Sequence, residues 1–325
     1  MIPAIKKVWL YTFCLFLLTL GCTSVNSKSN REDTPNNQTS APSGIAISNA
    51  DGTNELRDRI EQISQAAIGR VGVKATVLET GESVTLNGDQ QFPMQSVYKF
   101  PIGMAVLAHV EQGKLKLDQQ VRVKASDFVS DLQHSPIRDE NPQGVELSLA
   151  ELLKYMISES DGTACDVLLK LIGGPEVVTQ YLRDLGVNGI LIANTEKEMG
   201  QDKAVQYRNY ASPNAAVVLL RALHEGQGLS ESSQALLRKL MTQTPTGLQR
   251  IKGLLPDGTV VAHKTGTSRT VDGVTAATND VGLVTLPNEQ HMAIAVFVSD
   301  SRANDAVREE VIAKVAKAAW DEWSK

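Results

Sequence analysis

Cysteine is scarce in this chain. Only Cys14, Cys22 and Cys165 occur among 325 residues. The first two fall in an N-terminal stretch that reads as a removable leader, so the mature protein keeps Cys165 alone and has no internal disulfide. No Cys/His cluster has zinc spacing, and Cys165 itself reads as a small buried apolar residue. An excess of positive charge is also missing. The formal net charge is −5, and removal of residues 1–22 takes away Lys6 and Lys7 and no acid, giving −7. That balance argues against a nucleic-acid partner, because phosphate binding needs a basic surface. No phosphate-cradling GxGxxG or GxxxxGK[ST] loop and no internal repeat is present. The longest apolar stretch, Val8–Leu20, is 13 residues, short of the roughly 20 needed to span a bilayer.

What the N-terminus does contain is an export pattern, with Lys6 and Lys7 before that apolar run. Leu18-Thr19-Leu20-Gly21-Cys22 resembles the lipobox of bacterial lipoproteins, which implies acylation of Cys22. Thr19 departs from that pattern, so cleavage without lipidation stays open. Residues 23–52 are rich in Ser, Asn, Thr and Pro and nearly devoid of large apolar side chains, the composition of a flexible tether. Residues 53–325 are then long enough for one large domain of two packed lobes.

Periodicity divides that domain. Residues 53–68 place Leu56, Ile60, Ile63 and Ala67 at helical spacing, with Thr53 as a cap. "RVGVKATVLET" and "ESVTLNG" read as two strands turning at Gly81. The middle is helical, in runs such as "SLAELLKYMISES" and "SPNAAVVLLRALHEG". Strands return in "TVVAHKTGTS", "TNDVGLVTLP" and "HMAIAVFVSD" before a closing helix. Strands at both ends predict an α+β fold: one antiparallel sheet covered by helices (53–92 with 243–325), beside an all-α lobe (93–242). Clefts form at such lobe boundaries.

Three short motifs carry chemistry. Ser96 and Lys99 in "MQSVYKFP" are three apart, which on a helix sets an amine beside a hydroxyl. A serine becomes a nucleophile when a neighbour takes its proton, and an amine can do so only with its own charge suppressed. Ser160-Asp161-Gly162 follows a helical run, and Lys264-Thr265-Gly266-Thr267-Ser268 ends a strand. Taken singly, each also reads as an ordinary turn, cap or strand tip. The ordered set S-x-x-K, S-D-x, K-T-G is shared by class A β-lactamases and penicillin-binding proteins. From residue 53 to the end the chain resembles class A serine β-lactamases.

That resemblance implies a five-stranded antiparallel sheet, Ser96 as nucleophile, Lys99 as its proton acceptor, and Ser160 as donor to the departing ring nitrogen. It makes Lys264 the partner of Ser160, sets Ser96 and Thr267 amides at the oxyanion, and gives Thr265, Gly266, Thr267 and Ser268 to the substrate. A deacylating glutamate is expected in "ANTEKEMGQD". Glu196 is favoured over Glu198, because Met199 aligns the stretch with the T-E-x-E-M form of the cephalosporinase branch. Gly162 stands where most members have Asn, and Gly200 where they have Asn or His. The loop lacks the Arg that usually ties its neck, which predicts a wider or looser loop. Arg250 falls where some members grip the substrate carboxylate, and His134 where an aromatic gate stands beside the cleft. The lengths around "SDFVSDLQHSPIRDENPQG" and "VQYRNYASP" also resemble that branch, implying cephalosporins as preferred substrates, a monomer, an exported periplasmic location and no metal or organic cofactor. Two other readings fit the same motifs: a D-alanyl-D-alanine peptidase inhibited by β-lactams, and a non-catalytic β-lactam sensor. The glutamate discriminates them.

Overall fold

The computed structural model describes residues 47–325; the leader, Cys22 and most of the tether lie outside them. Helix α1 (Ile47–Ser64) starts inside the span assigned to the tether, so Thr53 lies within the helix and does not cap it. A single 3₁₀ turn, Gln65–Ala67, follows and leads into the sheet.

Strands β1 (Arg70–Val77), β2 (Ser83–Leu86), β3 (Val261–Thr267), β4 (Thr278–Thr285) and β5 (His291–Ser299) make one antiparallel sheet in the order β2-β1-β5-β4-β3. Residues from the two ends of the chain therefore pair directly, for example Val73 with Val296. Both faces are covered, which is why β5 reads as an unbroken apolar run. Met292, Ile294, Val296 and Val298 enter one core with Leu56 and Ile60 of α1 and Val311, Val315 and Trp320 of the C-terminal helix Asp305–Trp323. The alternate residues Ala293, Ala295 and Phe297 enter the other core, which continues into the helical part of the molecule. Gly72 of β1 is needed there: a Cβ would strike the Phe92 ring, which stacks on Phe297 at 5.7 Å.

The helical part contains α2 (Lys99–Glu111), α3 (Leu149–Ile157), α4 (Gly162–Ile172), α5 (Pro175–Asp184), α6 (Glu196–Gln201), α7 (Pro213–Glu225) and α8 (Glu231–Thr242), with the C-terminal helix as α9. A short helical turn, Pro136–Glu140, precedes α3. Their starts follow sequence signals. Ser148 and Glu151 form a reciprocal capping box on α3, and the side chains of Asp161, Ser212 and Ser230 accept the first free amides of α4, α7 and α8. Helix α2 is apolar nearly all round and runs through the centre of its core, as expected of a fully buried helix.

Candidate active site

Ser96 sits in a 3₁₀ turn, Gln95–Tyr98, that runs directly into α2 at Lys99. Three residues per turn bring i and i+3 into register, and Lys99 Nζ donates to Ser96 Oγ at 2.9 Å. The residue before Ser96, Gln95, has φ +46°, and Ser160 has φ +61°. Both are in the left-handed region that non-glycine residues avoid, at a cost of about 1–3 kcal/mol each. The surrounding contacts hold them there. Asn279 of β4 donates to the carbonyls of Pro93 (2.8 Å) and Met94 (3.1 Å), fixing the backbone ahead of Ser96. Asp161, fully buried, accepts from Ile137 N and Ala164 N at 2.8 Å and from Ser135 Oγ, fixing the backbone after Ser160.

These supports converge three polar groups on Lys99. Besides Ser96 Oγ, its ammonium donates to the Ser160 carbonyl at 2.7 Å and pairs with Glu196 Oε1 at 2.7 Å. Lys99 is 1 % exposed and Glu196 8 %. Burial alone would lower the lysine pKa, but the Glu196 charge and hydrogen bond, with smaller help from Cys165 and Asp161, outweigh it and hold Lys99 above its ordinary value. That direction runs against the expectation of a charge-suppressed Lys99, because the partnering carboxylate favours the ammonium form. The amine pushed well down is Lys264, through burial first and the Lys99 charge second. Lys264 Nζ donates to Ser160 Oγ at 2.9 Å and to Thr265 O at 3.1 Å.

Glu196, not Glu198, faces this cluster. Glu198 turns back to the backbone amide of Thr195 (2.8 Å), completing a capping box on α6. Two residues that sequence reasoning missed hold Glu196 in place. Asp166 of α4 accepts the amides of Glu196 (2.7 Å) and Lys197 (3.0 Å), and burial pushes its carboxyl up to about 6 despite those bonds. Gln133 Nε2 donates to Glu196 O at 2.5 Å and reaches Oε2 at 3.4 Å. Its amide packs against Gly200, where an added Cβ would come within 2.8 Å of the Gln133 amide carbon. Among the described residues, Glu196 Oε1 has no hydrogen-bond partner beyond its ion-pair contact with Lys99. The neck of the loop, expected to be loose without an Arg, is closed by fully buried Asn209, which accepts from Ala193 N (2.8 Å) and Asn194 N (2.9 Å) and donates to Asn194 O (2.8 Å).

Strand β3 forms the opposite wall. Gly266 allows it to press on the Ser96 turn: a Cβ there would lie well under 3.0 Å from Met94 O and at 3.1 Å from Val97 N. That approach carries Thr267 alongside Ser96. Arg250, 5 % exposed, donates to Thr267 Oγ1 (2.7 Å), Asn279 O (2.9 Å) and Gly266 O (3.3 Å), and its Nε pairs with Glu309 at 3.1 Å. Ser96, Lys99, Ser160, Glu196, Arg250, Thr265, Thr267, Ser268 and His134 all line one cleft of about 630 Å³. His134 is exposed at its rim and its ring bonds to Glu159 O at 2.9 Å. Gly162 is buried behind the wall at the start of α4, its amide bonded to His134 O, with 3.5 Å between a hypothetical Cβ and Glu196 Cγ. Cys165 is buried against Tyr98 Oη, and burial raises its thiol pKa, so it is no nucleophile.

The five hydroxyls of Ser96, Ser160, Thr265, Thr267 and Ser268, an amine and a carboxylate around one opening, with a second amine bonded to Ser160 behind it, make an acyl-transfer site. Comparison with known proteins agrees. Residues 55–323 match the model of the β-lactamase enzyme family. The chain is 41 % identical over 279 residues to the β-lactamase VEB-1 of Pseudomonas aeruginosa, covering 85 % of this chain and 93 % of that protein. A solved β-lactamase from Chitinophaga pinensis superposes with a TM-score of 0.81 at 47 % identity, covering 82 % of this chain and 99 % of the other. The TLA-1 extended-spectrum β-lactamase does so with a TM-score of 0.82 at 43 % identity, covering 84 % and 100 %. With this fold, this site and these relatives, the chain belongs to the β-lactamase enzyme family and is a class A serine β-lactamase.

Proposed function

We propose that this enzyme opens β-lactams through a Ser96 acyl-enzyme and frees itself with water activated by Glu196. The observation that carries the reading is the position of Lys99 Nζ, within 2.9 Å of both Ser96 Oγ and Glu196 Oε1. Lys99, held as an ammonium, accepts the Ser96 proton only as it passes its own to Glu196. Ser96 Oγ then adds to the lactam carbonyl, and the charge on its oxygen is met by the Ser96 and Thr267 amides, each such donor being worth about 3–4 kcal/mol. The C–N bond breaks as Ser160 Oγ–H protonates the nitrogen, and Lys264, bonded to that oxygen, replaces the proton. Glu196 and Lys264 re-equilibrate with solvent through the cleft. Glu196, a carboxylate again, takes a proton from water while the oxygen attacks the ester. The C–O bond breaks, Ser96 recovers its proton from Lys99, and Glu196 returns the proton it took from water to Lys99, 2.7 Å away. Glu196 Oε1 supports this role, since its one contact among the described residues is the ion pair with Lys99, which leaves a second lone pair for water.

Arg250 and the Thr265 and Thr267 hydroxyls grip the substrate carboxylate, and Ser268 and His134 border the rest of the substrate, while Gly266 and Gly162, which do not line the cleft, act on the substrate only through the walls they let pack closely. Cephalosporins are the preferred class. A cleft of about 630 Å³, bordered by Gly200 where a larger side chain would narrow it, supports this, as does similarity to the extended-spectrum TLA-1. Purified protein mixed with a chromogenic cephalosporin should turn over many substrates per chain, with a higher kcat/KM than for a penicillin. A single stoichiometric burst would instead indicate a penicillin-binding peptidase or a sensor.

The leader and Cys22 support export to the periplasm, with a lipid on Cys22 as anchor. No helix among the described residues is long and apolar enough to cross a membrane. Intact mass of membrane-extracted protein reads the lipid directly, and an unmodified N-terminus would refute it. The enzyme works as a monomer without metal or organic cofactor in its chemistry, so a chelator should leave turnover unchanged.

A further inference from the structure

Glu79, His224 and His291 come together where three separate elements end: the turn after β1, the last turn of α7 and the first residue of β5. None of them lines the catalytic cleft. His291 Nδ1 lies 2.8 Å from Glu79 Oε1, and His224 Nε2 lies 3.9 Å from the same oxygen. The two imidazole rings are 4.4 Å apart, tilted by 47°. All three ligand atoms fall within 4.8 Å of one another.

The groups are poised for an ion in two respects. Glu79 is anchored, since its Oε2 accepts the His291 backbone amide at 2.9 Å. His224, by contrast, is unfinished: its Nδ1 is buried with no hydrogen-bond partner, and its Nε2 is too far from Glu79 for one.

We propose that Glu79, His224 and His291 form a site for a late first-row divalent cation such as zinc. Two imidazoles and one carboxylate suit such ions and not calcium or magnesium, which take oxygen ligands. Metal–ligand bonds of about 2.0–2.2 Å need the His291–Glu79 contact to open slightly and the His224–Glu79 gap to close. The exposed side of the cluster leaves the fourth position to water. A bound ion pins the end of α7 to the sheet and has no part in the reaction at Ser96.

The test uses the purified full-domain protein, stripped with chelator and titrated with zinc chloride by calorimetry, with melting temperature read in parallel. One zinc per chain and a raised melting temperature are expected. His224→Ala should lose at least about tenfold in affinity and hydrolyse a chromogenic cephalosporin at the wild-type rate. Cobalt(II) gives a readout independent of stability: visible absorption of a four-coordinate N/O site, present in the wild type and lost in His291→Gln. Zinc bound equally by the wild type and His224→Ala, or by neither, overturns the proposal.

Discussion

The closest approach in the site is glycine against backbone, so Gly266→Ala is a sharp perturbation. The new methyl overlaps Met94 O and crowds Val97 N at 3.1 Å and Gln95 Cβ at 3.2 Å. Two of these are main-chain atoms of the turn that carries Ser96, already constrained by the Asn279 bonds and by Gln95 at φ +46°. No flexible side chain can absorb the contact, so β3 must retreat from the turn. Overpacking of this kind costs about 1–3 kcal/mol of stability. Retreat also moves the Thr267 amide off the oxyanion position, and loss of one such donor costs about 10²–10³ in rate. At about 1.4 kcal/mol per tenfold, the catalytic loss equals or exceeds the loss in stability. Steady-state kcat/KM with a chromogenic cephalosporin, measured well below the melting temperature, should fall about a hundredfold or more in a protein that still folds. A variant with kcat/KM within a few-fold of wild type would refute both the close approach and the role of Thr267.

Gln133→Ala removes a donor to Glu196 and should lower kcat by roughly tenfold while leaving the acylation burst intact; Gly200→Ala, which displaces the same amide, should act in the same direction. Arg250→Ala leaves the Gly266 and Asn279 carbonyls short of a donor, so it should cost roughly 3 kcal/mol of stability and raise KM, and Arg250→Lys should not restore either, because an ammonium cannot reproduce the fork. Asp166 has a folded pKa of about 6 against 3.8 ordinarily, so the folded state binds its proton more tightly than the unfolded one. Its contribution to stability is therefore greatest below about pH 4 and is lost as pH rises through about 6, in total roughly 3 kcal/mol. Chemical denaturation across that range should show this slope in the wild type and not in Asp166→Asn.

How much of this was legible in the sequence depends on how local each cause is. The strands at both ends announced a shared sheet, and β5 read as apolar throughout because both its faces are covered. Ser96 and Lys99 were visible as a pair because three residues of helix suffice to join them. Asp166 and Gln133 were not, since each reaches Glu196 from a distant segment, 30 and 63 residues away, through side-chain contacts that leave no pattern. Asn209 was overlooked for a related reason: the missing Arg suggested an open neck, while one buried amide closes it by bonding three backbone groups. The charge on Lys99 was misjudged because burial can be read from an apolar stretch, whereas the carboxylate that reverses its effect arrives only with the fold. Helix α1 begins earlier than Thr53 suggested, a reminder that a cap residue marks a helix start only when nothing before it can continue the helix.

The central claim is that Glu196 releases the acyl group from Ser96. Intact-mass spectrometry of Glu196→Gln mixed with a cephalosporin tests it most directly: the substitution removes the charge that opposes burial at Lys99, so the amine itself can take the Ser96 proton and acylation continues, and one covalent adduct per chain should persist for many wild-type turnover times. An unmodified chain turning over at the wild-type rate would contradict it.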